Sequence, residues 1–442
     1  MSGSQIFVSI ASYRDPELIP TLHDLIAAAA RPQDLHIVVC WQDEGDLLPF
    51  TVAGFHPLEC AHTAEQEITH FGFKGAQITL ICRHYYQSEG ACWARHLAET
   101  RFRHEDYFLQ IDSHCRFVHH WDLKMIAMLR SLLPQSPRPV LSAYPPGYQP
   151  GDDEQRQKFV NRMIFREFTR EGIPMAGSKS FQGTEPQRGS YLAGGFIFTL
   201  GRFVTDVPND PQIFFAGEEI AMSVRAFTCG YDVYHPHVPL LWHYYQRTDS
   251  PKVWQDHDNS ARECGSVAES WWQRDQRSKR RITTLLGLNP DNPESLGPYG
   301  IGKLRTVRTF EYQSGILFSQ HAVQPAVADD RKQAFFSEPP QSEQAWLASF
   351  NVRYDHHLTV PLALWQGEFS PYDSLQLAVY DKQSQLLHQQ RLFSEQLAHT
   401  EDGLSARLAI SFSTSSPCTP SIIRLCGWHR QQGWGPLTEY AW

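Results

Sequence analysis

The first third of the chain alternates short, mainly apolar runs with longer amphipathic segments. Mainly apolar runs of this length are typical of strands that are buried on both faces of a sheet. In the segment after the first run, Leu18, Leu22 and Leu25 recur at the spacing of one helix face. The alternation predicts strands over 6–10, 35–41, 78–82 and 107–111, with helices over 17–30 and 88–103.

Strands separated by helices indicate a largely parallel, Rossmann-like sheet that is covered on both faces. Such sheets bind their ligands beyond the carboxyl ends of the strands, and Asp112-Ser113-His114 follows the fourth predicted strand. Asp112 and His114 point the same way if the chain stays extended, so together they could hold a divalent cation and leave positions open for a diphosphate. Alternatively, Asp112 caps the helix that begins near Trp121 and His114 is a surface residue.

From about residue 316 the pattern changes to short strand-like runs divided by polar turns. Six such runs and no clear helix predict an antiparallel β-sandwich. We therefore expect an α/β domain over 1–312 and an all-β sandwich domain over 313–442. The six predicted strands are 345–354, 358–365, 374–381, 386–393, 406–412 and 422–427.

The predicted sandwich is rich in tryptophan. These rings could stack on sugars and make the domain a carbohydrate- or acceptor-binding module, or they could fill the core of the sandwich and its contact with the first domain. The residues concerned are Trp346, Trp365, Trp428, Trp434 and Trp442.

Composition excludes several classes of protein. The 442 residues carry a formal net charge of −9, which argues against a general nucleic-acid binder. No apolar run approaches the length of a membrane span, and the N-terminus lacks the basic and apolar regions of a signal peptide. The nine cysteines are scattered and include no Cys-x-x-Cys pair, so we expect reduced thiols in a cytoplasmic protein.

Other motifs lie on both sides of Asp112-Ser113-His114, in a consistent order over roughly residues 5–312. They are Ser9-Ile10-Ala11-Ser12-Tyr13-Arg14-Asp15, Ala94-Arg95-His96, Trp121-Asp122, Leu192-Ala193-Gly194-Gly195-Phe196, Phe215-Ala216-Gly217-Glu218-Glu219-Ile220 and Trp242-His243-Tyr244-Tyr245. With these motifs the chain resembles nucleotide-sugar glycosyltransferases of the GT-A fold, and more narrowly glycosyltransferase family 60, the cytosolic polypeptide N-acetylglucosaminyltransferases that modify hydroxyproline. In this comparison the Asp-x-His motif stands where most GT-A enzymes carry Asp-x-Asp.

The resemblance implies transfer of N-acetylglucosamine from UDP-N-acetylglucosamine, or of another sugar from its UDP-sugar, to a hydroxyl of a protein or glycan. It also implies retention of configuration and a requirement for Mn²⁺ or Mg²⁺ bound by Asp112 and His114. Other interpretations stay open: an inverting transferase, or a lectin-like or nucleotide-sugar-binding protein without catalysis. A nucleotidyltransferase would carry a glycine-rich phosphate loop after the first strand, where this chain has no glycine.

A third metal ligand should come from far downstream, because two side chains from one turn leave the ion half-open. His235, His237 and His243 compete for this position, and each could instead be a hydrogen-bonded core or surface histidine. We favour His243, because it precedes Arg247, a cation that could reach the phosphates.

Two paired motifs offer further site residues. Gly194 and Gly195 could let the backbone approach a ligand, or could form an ordinary turn. Glu218 and Glu219 begin a predicted helix, where negative charge is also favoured by the helix dipole. In GT-A enzymes this position holds the acidic residue that meets the acceptor or donor sugar, and we favour Glu219. If the enzyme inverts, one of the two is the general base.

The donor end of the site is predicted from residues after the first strands. Tyr13 and Asp43 are placed to hold a uracil ring and a ribose. Arg14 could contribute there or could form a local ion pair with Asp15. Arg95 lies on the helix before the metal motif and could reach the diphosphate or pair with a neighbouring acid. Residues 145–190, rich in glycine and proline, are predicted to be an acceptor-binding loop or a lid.

Overall fold

The computed structural model describes ten stretches of the chain. The chain divides into two compact units. The first comprises Met1–Phe318 with Asp330–Glu338, and the second comprises Ser319–Asp329 with Pro339–Trp442. No helix among the described residues has the length and apolarity needed to cross a membrane. The described stretches are 4–62, 67–150, 155–247, 250–289, 295–328, 334–361, 372–393, 398–400, 404–415 and 418–442.

Among the described residues, the first fourteen strands lie in the first unit, and ten of them form one sheet. They are β1 Ile6–Tyr13, β2 Leu35–Asp43, β3 His56–His62, β4 Glu67–Phe73, β5 Ala76–His84, β6 Tyr107–Asp112, β7 Cys115–Phe117, β8 Pro139–Leu141, β9 Val160–Phe168, β10 Pro174–Phe181, β11 Gln187–Gly189, β12 Phe196–Leu200, β13 Asp232–His235 and β14 Leu241–His243.

The sheet runs in the order β11-β13-β8-β12-β6-β1-β2-β5-β4-β3. Its centre is parallel, since β1 pairs with β2 and β6, and β2 pairs with β5. Antiparallel pairing enters where β12 lies between β6 and β8, and in β3–β4–β5 at one edge. The predicted α/β class is confirmed, with a sheet that is mixed.

Within the described stretches, the first unit has ten α-helices, which follow the amphipathic pattern where it is strong. In the first of them, Leu18, Leu22 and Leu25 are buried against the sheet, as their spacing predicts. The helices are α1 Leu18–Ala28, α2 Leu48–Val52, α3 Ala91–Glu99, α4 Trp121–Leu132, α5 Phe203–Asp206, α6 Glu218–Thr228, α7 Val253–Asp256, α8 Asn259–Glu263, α9 Trp271–Leu285 and α10 Val307–Ser314.

Part of the segment predicted as a long loop is regular structure. β9 and β10 form an antiparallel hairpin, and β11 joins the edge of the main sheet. The hydrophobic pattern does not predict the hairpin because the second half of β10 is polar, with Ser178, Lys179 and Ser180 all exposed. The segment predicted as an acceptor-binding loop or lid therefore contains a defined two-stranded element.

The second unit packs two antiparallel layers around one apolar core, which includes Val360, Leu375, Ile410 and Ile423. β17 pairs with β21 along its length, and β18 pairs with β19 and β22. The elements are β16 Ala322–Val323, α11 Pro325–Ala328, α12 Glu343–Ala348, β17 Asn351–Pro361, β18 Ser374–Asp381, β19 Leu386–Leu392, β20 Ala398–His399, β21 Ser405–Ser415, β22 Pro420–His429 and β23 Gly433–Ala441; the two-residue β15, Ile316–Leu317, precedes them in the first unit.

Two sequence predictions for the second unit are corrected. Residues 345–354 are predicted to form a strand, but they begin within α12, which Ser342 caps by accepting a hydrogen bond from Ala345 N. The last strand, β23, is absent from the prediction because its polar residues hide the alternation. Trp346 is buried, whereas Trp434 is 57% exposed beside Trp428. Trp365 lies outside the described residues.

The predicted boundary at residue 312 falls inside α10. Glu311 accepts a hydrogen bond from Phe318 N at 2.8 Å, and Ile316, Leu317 and Phe318 are fully buried in the first unit. The division into domains of separate activity stays a prediction.

Candidate active site

A cleft of about 560 Å³ opens at the carboxyl ends of β1, β2 and β6. Its lining includes Tyr13 from β1, Gln42 from β2 and Asp112 from β6. Parallel strands with these neighbours bring their carboxyl ends to one edge of the sheet, which is where α/β folds hold ligands.

Asp112, His114 and His243 form a compact group at this edge, with one ligand atom from each lying within 4.8 Å of the others. His243 Nε2 lies 3.0 Å from Asp112 Oδ2, and His114 Nε2 lies 4.0 Å from the same oxygen. The pairing of β14 with β7 sets His243 opposite Cys115 and so brings a distant histidine to the motif. One carboxylate and two imidazoles form a donor set that suits a first-row divalent cation.

The other two histidines considered as ligands do not belong to this group. His235 is fully buried, its Nδ1 lies 2.7 Å from Ser142 O, and its Nε2 accepts a hydrogen bond from Met163 N. Burial lowers the pKa of His235 to about 4, so it is a neutral core histidine.

Asp15 orients His114, a contact that sequence reasoning missed. Its Oδ2 lies 2.8 Å from His114 Nδ1, 2.5 Å from the Ser113 hydroxyl and 3.1 Å from Arg247 Nη2. A carboxylate on one ring nitrogen fixes a histidine so that the other nitrogen faces the metal position. Burial opposes ionisation of Asp15, but the hydrogen bond to His114 and the charge of Arg247 lower its pKa below the ordinary value. Arg14, which the sequence could also pair with Asp15, lies 3.0 Å from Asp256 in the structure.

Arg95 joins the metal group to the glutamate helix. Its side chain is 4% exposed, Nη2 lies 3.2 Å from Asp112 Oδ1, and Nη1 lies 2.9 Å from Glu218 Oε1. Burial would raise the pKa of Asp112, but His243 and Arg95 hold it well below the ordinary range. Asp112 is therefore a carboxylate, as a metal ligand must be.

Glu219 has different hydrogen-bond partners from Glu218, although both side chains line the cleft. Its Oε1 accepts a hydrogen bond from Gly194 N at 3.0 Å, and its other oxygen accepts one from the Tyr144 hydroxyl. Burial, with a contribution from the nearby Glu218 charge, raises the pKa of Glu219 to about 7. Glu219 can thus exchange a proton near neutral pH, whereas Glu218 is paired with Arg95.

Gly194 and Gly195 are needed because carboxylates occupy the space beside them. A Cβ on Gly195 would lie 2.7 Å from Asp112 Oδ2, and a Cβ on Gly194 would overlap Glu218 Oε1. Gln110 Nε2 donates to Gly194 O at 2.7 Å, so the Gly194 peptide is held from both sides. Gly195 lines the cleft and Gly194 supports it.

Tyr13 and Arg14, which the sequence predicts to contact the donor, are held by Asp256 of α7. The Tyr13 hydroxyl donates to Asp256 Oδ2 at 2.8 Å, and Arg14 Nη1 lies 3.0 Å from both Asp256 oxygens. Asp43 accepts a hydrogen bond from Glu44 N and is not among the residues that line the cleft. Gln42, its neighbour on the other face of β2, lines the cleft instead.

One protein family matches most of the chain. The family model described as Glycosyltransferase (GlcNAc) matches residues 5–320, which is more than two thirds of the sequence. No curated protein matches.

Two solved structures show the level of structural similarity. The crystal structure of GalNAc-T7 with UDP, GalNAc and Mn²⁺ aligns at 14% identity and a TM-score of 0.41, over 70% of this chain and 54% of that chain. S. aureus TarS 1-349 in complex with UDP-GlcNAc aligns at 11% identity and a TM-score of 0.34, over 63% and 72% of the two chains. The chain thus spans about half the length of the GalNAc-T7 chain that it matches.

Proposed function

Since this chain belongs to the Glycosyltransferase (GlcNAc) family, we propose that it transfers N-acetylglucosamine from UDP-N-acetylglucosamine to a hydroxyl acceptor in a metal-dependent reaction. The carrying observation is the group formed by Asp112, His114 and His243 at the floor of the cleft. The motifs that resemble glycosyltransferase family 60 support the choice of sugar, and they support retention of configuration.

Asp112, His114 and His243 would hold Mn²⁺ or Mg²⁺. The chemistry that such an ion supplies when bound is neutralisation of the charge on the departing diphosphate. Arg247 lines the same cleft and adds a fixed positive charge for the phosphates, positioned by its contact with Asp15. Tyr13 lines the same cleft and offers a ring to the uridine.

An inverting reaction is the second candidate, and the state of Glu219 favours it. A group whose pKa is about 7 is matched to accept the proton of an acceptor hydroxyl near neutral pH. In a retaining reaction the departing phosphate takes that proton, and Glu219 holds the sugar or the Gly194 peptide. The anomeric coupling constant of the product, measured by NMR, separates the two.

The proposal is tested by offering the protein UDP-N-acetylglucosamine, UDP-N-acetylgalactosamine and UDP-glucose, and by following UDP release. We expect slow hydrolysis of UDP-N-acetylglucosamine in the presence of Mn²⁺, with at least about tenfold less after addition of EDTA, because the ion stabilises the leaving group by several kcal/mol. Binding of UDP that is equally tight with and without Mn²⁺, together with no release from any donor, would instead indicate a binding protein.

Glu219→Gln should stabilise the folded protein at pH 8 but not at pH 4. Folding raises the Glu219 pKa from 4.5 to about 7, so the stability linked to its protonation is complete below pH 4.5 and is lost as the pH rises through 7. Glutamine cannot ionise and keeps an oxygen for Gly194 N–H, which gives a gain of up to about 3 kcal/mol above pH 7. Denaturant unfolding at both pH values measures it. Glu44→Gln, at a site whose side chain is 69% exposed, is the control; an equal effect of Glu219→Gln at pH 4 and pH 8 would contradict the prediction.

A further inference from the structure

A second depression of about 380 Å³ adjoins the cleft and shares Tyr144, Pro145 and Tyr245 with it. The Tyr144 hydroxyl donates to Glu219, and the Tyr245 ring lies 4.3 Å from the His243 ring. The depression therefore opens beside Glu219 and His243. A molecule bound there would lie next to the groups at which the transfer is proposed to take place.

The lining of this depression is hydroxyl, amide and aromatic. Asn161, Ser178 and Ser180 come from the β9–β10 hairpin, Gln157 and Phe159 come from the segment before it, and none of the described lining residues carries a charge. Neutral hydrogen-bonding groups beside an exposed ring suit a sugar, which has hydroxyls at its edge and C–H groups on its face. A charged peptide would gain most from charged partners, and the described lining offers none.

Two contacts show that the depression is preformed. Asn161 is 9% exposed, and its Nδ2 donates to Tyr144 O at 3.0 Å, which leaves the amide further hydrogen-bonding positions. Gln157 Oε1 accepts a hydrogen bond from Gly147 N at 2.7 Å, so the second amide is also held in place. Phe159, by contrast, is 45% exposed, an arrangement that leaves its ring available for stacking.

We propose that this depression is the acceptor subsite and that the acceptor is a neutral sugar residue of a glycan. The inference rests on the proposed function and adds the class of acceptor to it. A hydroxyl oxygen of the bound sugar forms a bond to the anomeric carbon of the donor. The bond from that carbon to the diphosphate breaks, its electron pair leaves with UDP, and the hydroxyl proton passes to the departing phosphate oxygen.

The test measures UDP release from UDP-N-acetylglucosamine with Mn²⁺ in the presence of two sets of probes. One set contains methyl glycosides of glucose, galactose, mannose and N-acetylglucosamine, and the other contains peptides that bear serine, threonine or hydroxyproline. We expect at least one glycoside to accelerate release about fivefold or more over water and to yield a disaccharide by mass spectrometry, because a positioned hydroxyl outcompetes water.

Variants connect that acceleration to the depression. Asn161→Ala and Phe159→Ala should each raise the KM for the active glycoside about tenfold, the loss expected for one hydrogen bond or one stacking contact, while the Kd for UDP stays unchanged. Leu123→Ala, at an exposed position on α4 outside both depressions, is the matched control. Acceleration by peptides alone, release that no glycoside accelerates, or an unchanged KM in both variants would overturn the inference. Absence of release from every donor would be a failure of the proposed function itself.

Discussion

Replacing His243 with alanine should weaken Mn²⁺-supported binding of UDP by at least about a hundredfold, since even partners that only orient a metal ligand are worth ten- to a hundredfold in metal affinity. His243 contributes one of three donor atoms, and its Nε2 lies 3.0 Å from the Asp112 carboxylate. Binding of UDP in the absence of Mn²⁺ should change little. Calorimetric titration of UDP with and without Mn²⁺ measures both quantities.

Two further histidine variants distinguish the loss of a metal ligand from the loss of the fold. His114→Ala should behave like His243→Ala, because both remove one imidazole from the same group. His119→Ala, at an exposed histidine outside the cleft lining, should retain the affinity and the Mn²⁺ dependence of the parent protein. A His243→Ala protein with unaltered thermal unfolding and unaltered Mn²⁺ dependence would exclude His243 as a ligand; the same result for His114→Ala would exclude the metal site.

Arg95→Met should destabilise the first unit by about 3–5 kcal/mol, the cost of leaving a buried ionic partner without its counter-charge. Arg95 is 4% exposed and pairs with both Asp112 and Glu218, so its loss leaves two carboxylates uncompensated. Arg95 also helps to depress the pKa of Asp112, a contribution present above the ordinary carboxyl pKa and lost as the pH falls. Destabilisation should accordingly be larger at pH 7 than at pH 3, which lies below the ordinary Asp pKa of 3.8. Denaturant unfolding at pH 7 and pH 3 checks the size and the sign.

Two further arginine variants make the result specific. Arg95→Lys keeps the charge but not the two-pronged geometry, so it should fall between the parent protein and Arg95→Met. Arg202→Met breaks an exposed pair with Asp206 in the same unit, and such pairs are worth less than about 1 kcal/mol. Equal losses for Arg95→Met and Arg202→Met would show that the buried pairs contribute no more than a surface contact.

Local patterns in the sequence are enough to locate one edge of the site. Phe108–Ile111 is apolar except for Gln110, and the polar motif follows at once. The hydrophobic pattern alone therefore places Asp112 and His114 at the end of a strand. The structure brings both residues next to His243, the downstream histidine that the sequence favours. His243 is favoured in the sequence because it precedes Arg247; its distance from Asp112 is not predictable, since only a short spacing along the chain fixes which side chains are in contact.

Contacts between distant segments are beyond that reasoning. Asp15 approaches His114 only because β1 and β6 are neighbours, and nothing in the sequence around Asp15 specifies that pairing. On β2, successive side chains face opposite sides of the strand. An error of one residue in the predicted register therefore decides whether Gln42 or Asp43 is expected to line the cleft. In the second unit, a capping serine outweighs the strand-like composition of the segment that begins α12.

The hydrogen bonds from Tyr13 and Arg14 to Asp256 also determine how early in protein synthesis the site can form. Tyr13 and Asp256 are separated by 243 positions, and His243 is separated from Asp112 by 131. A nascent chain emerging from the ribosome can complete the parallel centre of the sheet long before either partner has been synthesised. The proposed affinity for a nucleotide would therefore be gained late in synthesis, and a chain interrupted before Asp256 carries the scaffold of the cleft without its closing contacts.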